Sequence, residues 1–187
     1  GEIFIGCAGG IDTTAIFNIT HEKPAKSSEF IKAGFYGATG GHSGDDINKN
    51  RANANQILIR FLLPLFEKKI ISICKIDGGN KRNAIAREAF AIIAFNQSYR
   101  ETILEHFKKV ENEVKEEYHV SDPNLFGKVE ETEPQERCID SNTASRILHS
   151  LNACPHGVLA MSQDIPDFVE TSTNLASVKT SNDSVTV

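Results

Sequence analysis

At 187 residues with 40% hydrophobic content, the chain can bury a core as one domain or as two small similar lobes. A formal charge of −5 and the lack of any basic stripe exclude nucleic acid and acidic membrane as main partners. With no leader-like opening and no apolar run near the length of a membrane span, the cytoplasm is the expected compartment.

The chain opens in strand-like alternation over Glu2–Cys7, without an initiator methionine, as expected of a segment cut from a longer protein. Asp12 to Thr20 predicts a second strand, and Glu29 to Gly37 a third that leads into a glycine-rich turn. From Ile47 to Phe66, Ile47, Ala54, Ile57, Leu58, Phe61, Leu62 and Leu65 recur at helical spacing, with Pro64 kinking or shortening the last turn. Strands follow at Ile70–Ile76 and Glu88–Phe95, separated by Gly78-Gly79 and the polar segment Asn80–Arg87. Ser98 to Tyr118 predicts an amphipathic helix with an apolar stripe of Ile103, Leu104, Phe107, Val110, Val114 and Tyr118. Pro123 to Glu133 then reads as a strand with a solvated acidic edge. Asp140 to Asn152 reads as a helix capped by Asp140 or Ser141, with Ile147, Leu148 and Leu151 inward. Val158–Ser162, Val169–Val178 and Ser184–Val187 complete the strands, the last two joined by the Ser181-Asn-Asp turn. The expected class is α+β, an antiparallel β-sheet with helices packed on one face. Cys7, Cys74, Cys138 and Cys154 are far apart, with no Cys-x-x-Cys pair, and are expected as buried reduced thiols.

The stretch Gly34–Ile47 concentrates the unusual chemistry. Gly37, Gly40, Gly41 and Gly44 allow positive φ and close approach by another molecule, which presents His42 at a tip. Ser43 with Asp46 three residues on reads as a helix cap, placing His42 one residue before a helix start, where the dipole disfavours imidazolium. A phosphate loop does not fit, because the segment lacks Lys and Arg and carries Asp45 and Asp46. A plain glycine turn with an exposed histidine is the ordinary alternative.

The chain has no nucleophile–base pair, no Gly-x-Ser-x-Gly and no His-x-x-x-His or His-x-Asp among its 6 histidines, so no metal ligands are assigned. What remains are polar groups at strand and helix ends: His42, the Asn53/Asn55 pair, and Arg82-Asn83 with Arg87. Two arginines in a glycine-bounded loop suit a carboxylate, which the guanidinium fork grips with two bonds, or else make surface ion pairs.

Gly40-Gly-His-Ser-Gly44, Asn50-Arg-Ala-Asn-Ala-Asn55, Gly78-Gly79 with Arg82-Asn-Ala-Ile-x-Arg-Glu-Ala89, and Val169-Glu-Thr-Ser-Thr-Asn-Leu175 resemble the lid domain of aminoacyl-histidine dipeptidases. Glu2–Gly10 matches as well, so the resemblance covers the whole chain. These enzymes belong to a dizinc peptidase family that also holds carnosinases and glutamate carboxypeptidases. The resemblance implies that residues 1–187 are a lid and dimerisation domain inserted in a larger zinc peptidase acting on Xaa-His dipeptides. The two zinc ions would lie in a catalytic domain outside this chain, with none in the chain itself. Its partners would be that catalytic domain, the dipeptide substrate and a second copy in a homodimer. His42 would reach over the metals as a catalytic residue to steady the substrate carbonyl, and Asn83 would bind the peptide, with Arg82 and Arg87 as substrate-binding candidates. Two positions depart from the pattern. Ala86 stands where relatives have Pro, and Ala160 where some have Arg before Met-Ser, which removes a carboxylate contact from that position. The competing expectation is a free-standing α+β binding module that pairs through an exposed sheet edge.

Overall fold

The computed structural model describes residues 9–187, so the strand expected over Glu2–Cys7 lies outside the described residues. In chain order the strands before the first helix are β1 (Ile16–Asn18), β2 (His21–Glu22), β3 (Ser28–Tyr36) and β4 (Gly41–His42). Helix α1 (Ala54–Glu67) precedes β5 (Ile71–Gly78), β6 (Ala84–Ile85) and β7 (Ala89–Asn96). A short 3-10 turn (Gln97–Tyr99) then opens α2 (Arg100–Glu117), followed by β8 (Phe126–Glu131), β9 (Cys138–Ile139) and α3 (Ser141–Ala153). The chain closes with β10 (Gly157–Met161), β11 (Val169–Thr173), β12 (Lys179–Thr180) and β13 (Ser184–Thr186).

The main sheet is antiparallel in the order β5-β7-β3-β8. Its alternation decides which side is buried. Ile31, Ala33 and Phe35 of β3 stand beside Ile93, Ala91 and Ala89 of β7, and all six are buried under the helices. In β5 the register shifts between Ile73 and Lys75, so Cys74 is the extra residue of a bulge. That bulge moves the core face from Ile71 and Ile73 to Ile76 and turns Cys74 toward β9, where it is bonded to Cys138. The expectation of reduced thiols therefore fails for this pair; Cys154 is free.

Helix α1 crosses the sheet's covered face with α2 and α3 on its flanks. Phe35, Phe61 and Phe107 meet at the centre, with ring centroids 5.0 Å apart for Phe35–Phe107 and 5.1 Å for Phe61–Phe107. The three helices and the sheet share one continuous core, in place of two lobes. The opposite face of the sheet is half-covered, with Lys32 Nζ lying 4.1 Å from the Phe90 ring centre.

Several boundaries move for physical reasons. The first long helix starts at Ala54, because Asn53, extended at φ −106° and ψ 111°, accepts the N–H groups of Asn55 and Gln56 on its side chain. Ser43 is no cap. Helix α1 also runs three residues past Pro64, ending where Lys69 takes φ 57° and the Ile70 N–H bonds the Leu65 carbonyl. On α2, Leu104 is 39% exposed while Glu111 turns inward to accept the Gly127 N–H of β8 at 3.2 Å. Asp140 caps α3, accepting from Asn142 and Thr143 at 3.1 Å. The strand expected over Asp12–Thr20 shrinks to Ile16–Asn18, which has β13 as its ladder partner. The Val169–Val178 strand breaks after Thr173, because the Leu175 carbonyl turns to the amides of Asn53 and Asn55.

Candidate functional site

His42 does not precede a helix; it lies on a ribbon of two short strands. Gly41 and His42 pair with Ile85 and Ala84, and the Ser43 N–H donates to the Asn83 carbonyl at 3.0 Å. One short ladder thus brings His42 and Asn83 together. Gly40 (φ 65°) and Gly41 (φ 140°) permit the approach, since a Cβ on Gly40 would strike Arg87 and one on Gly41 would strike Arg51 and Asp46.

The base of this ribbon is held by polar pins. Asp122, 2% exposed, accepts the Thr39 N–H at 2.7 Å and the Ala52 N–H at 2.8 Å, so one carboxylate ties both ends of the loop. Ser121 adds two bonds, accepting from Thr39 Oγ1 and donating to the Asn50 carbonyl. The Ala54 N–H meets the Ala86 carbonyl at 3.0 Å, which joins the ribbon to the start of α1.

The loop tip is organised around Asp46. Its carboxylate accepts Lys49 Nζ at 2.6 Å and the His42 N–H at 2.8 Å, and faces Arg51 at 3.2 Å. The Lys49 bond, then the His42 N–H, hold the Asp46 carboxyl below its usual range. His42 Nδ1 accepts the Gly44 N–H at 3.1 Å and, more weakly, the Asp45 N–H at 3.4 Å. Because Nδ1 is an acceptor, the neutral ring carries its hydrogen on Nε2. The His42 side chain is 52% exposed. The tautomer follows from turn geometry, and the helix-dipole argument does not apply.

The other expected residues have separate partners. Asn83 is exposed beside His42. Arg82 reaches Asp12 at 2.6 Å in a surface ion pair, and Arg87 donates from Nε to the Ala38 carbonyl at 3.1 Å. Asn53 and Asn55 are buried and serve the cap of α1 and the Leu175 carbonyl.

Asp122 and His156 were not singled out from sequence, and Asn174 entered only within the Val169–Leu175 motif. His156 Nδ1 lies 3.1 Å from Asn53 Nδ2, a donor, and burial pushes the imidazole below its usual pKa, so this ring also carries its hydrogen on Nε2. Asn174 Nδ2 holds the Ala84 carbonyl of the ribbon at 2.9 Å. The Cys-Pro-His-Gly end of α3 and the Thr-Ser-Thr-Asn run carry these residues, but nothing local marks either as a neighbour of the glycine turn.

Among the described residues, no group of three or more His, Cys, Asp or Glu side chains could hold a metal ion. Two grooves of about 290 and 390 Å³ flank α1, and neither is lined by a ribbon residue. An exposed tip with one oriented N–H donor suits closing over another surface.

Comparison with known proteins places the chain among peptidase-like sequences and folds. Residues 33–122 match the family described as the peptidase dimerisation domain. The whole chain is homologous to cytosol non-specific dipeptidase of Escherichia coli, at 32% identity over 187 residues. It spans 39% of that relative's length. The crystal structure of aminoacylhistidine dipeptidase from Vibrio alginolyticus superposes with a TM-score of 0.90 at 31% identity, over 93% of this chain and 36% of that one.

Proposed function

We propose that this chain, homologous to part of a dipeptidase and centred on a peptidase dimerisation domain, is the lid of a dipeptidase that hydrolyses Xaa-His dipeptides in the cytoplasm. In this reading residues 1–187 are one domain of a longer protein. In it, the rest of that protein would supply the catalytic domain and two zinc ions. No helix among the described residues is long and apolar enough to cross a membrane.

The observation that carries the reading is the His42 ring, with Nδ1 occupied by the turn and half of the side chain exposed. Its Nε2–H would donate to the scissile carbonyl oxygen as that oxygen gains charge, a contact stronger in the transition state than in the ground state. Asn83, on the facing strand, would hold the peptide. Arg82 and Arg87 would meet the substrate carboxylate, Arg82 by exchanging its exposed Asp12 partner. A homodimer is supported by the matched domain and by the outer edge of β8, which joins no ladder among the described residues.

Comparing the full-length gene product with the 187-residue chain tests the proposal. The full-length protein should hydrolyse Xaa-His dipeptides with zinc bound, and the chain alone should bind no stoichiometric zinc and release no histidine. Turnover by the chain alone, or a full-length protein inert toward dipeptides, would overturn it.

A further inference from the structure

We propose that Asn174 is a positioning residue that sets the orientation of the His42–Asn83 ribbon, a role that rests on the lid reading above. Its Nδ2 donates to the Ala84 carbonyl at 2.9 Å. Ala84 stands opposite His42 in the ladder and directly follows Asn83, so this bond grips the ribbon at its middle. Asn174 itself hangs from a fixed point, because the next carbonyl, Leu175, accepts the buried amides of both Asn53 and Asn55.

The amide cannot be turned round, since Oδ1 facing the Ala84 carbonyl would set two acceptors against each other. Its oxygen is therefore committed to the far side. There it is buried without a hydrogen-bond partner, alone in that condition among the side-chain nitrogens and oxygens of the described residues. The neighbouring pins are used fully: Asp122 engages both oxygens, and Asn53 both its oxygen and its amine. The work of the side chain is therefore done by Nδ2, which fixes Ala84 and, across the ladder, the strand that carries the His42 ring.

Kinetics and a structural probe together test the role. In full-length dipeptidase, Asn174→Ala should lower kcat roughly 10-fold with little change in KM, and should add no further loss to His42→Ala, as expected of residues acting as one unit. In the 187-residue chain, ring ¹⁵N shifts should report the Nε2–H tautomer for His42, and Asn174→Ala should move them toward tautomer averaging while the cooperative melt persists. Asn174→Asp, which keeps acceptors and loses the donor, should behave like Asn174→Ala. A kcat unchanged by Asn174→Ala where His42→Ala lowers it, a loss that adds fully to that of His42→Ala, or unmoved ring shifts would overturn the positioning role. If the ring shifts move but neither His42→Ala nor Asn174→Ala alters kcat, the lid reading fails instead.

Discussion

The helix-covered sheet and the His42 ribbon are held by different forces. In the sheet, period-2 apolar positions of β3, β5 and β7 meet the apolar stripes of α1, α2 and α3, and the contacts are numerous and non-directional. In the ribbon, two ladder pairs are fixed by directed bonds from Asp122, Asp46 and Asn174, each to a particular backbone group. The core can lose one contact and keep its shape. The ribbon depends on individual side chains that lie 4 to 90 residues away in sequence.

The largest expected effect separates the two regions from the core side. Phe61→Ala removes the ring packed edge-on to Phe107 and should cost about 3–5 kcal/mol by urea unfolding, because the cavity cannot fully collapse. Asp122→Ala should cost about 2–3 kcal/mol by the same measurement, since the Thr39 and Ala52 N–H groups lose their acceptor. Unlike Phe61→Ala, it should raise amide exchange mainly over residues 38–53.

Acid should loosen the other directed bonds. Burial raises the Glu111 carboxyl, but the Lys108 and Lys115 bonds and the Gly127 N–H outweigh it and bring its pKa to about 2. Bonds from Thr143 and Thr20 bring Asp140 to about 2 as well. Both folded values lie below the unfolded ones, so these contributions are present above roughly pH 4.5 and are lost as pH falls toward about 2. For Glu111 the loss should be about 2 kcal/mol after allowing for its exposed lysine partners, and Glu111→Gln should flatten that part of the pH–stability curve. The smallest effect is expected at Arg82→Ala, which removes an exposed ion pair with Asp12 and should shift stability by less than about 1 kcal/mol.

The difference in forces explains what could be read from sequence. The α+β class, the sheet strands and the three helices were legible because burial writes itself as periodicity, as at Ile31, Ala33 and Phe35 or Ile103, Phe107 and Val110. The start of α1 was misread because Ser43 and Asp46 imitate a cap, while the residue that caps is Asn53, and Asp46 turns back to His42, Lys49 and Arg51 instead. Glu111 was missed because a carboxylate on a buried helix face makes sense only once Lys108, Lys115 and Gly127 surround it. His42 and Asn83 stood out through their glycine-bounded loops, whereas the parts played by Asp122 and Asn174 depend on contacts that no local pattern predicts.

The central claim is the proposal that the ribbon presents the His42 Nε2–H to a substrate carbonyl, and kcat of His42→Ala in the full-length protein tests it most directly. The account predicts a fall of about 10²–10³, with zinc content and the unfolding midpoint unchanged, as for loss of one transition-state donor. An unchanged kcat would contradict it and leave His42 as an exposed residue of a glycine turn, and a loss of bound zinc would make it a metal ligand instead.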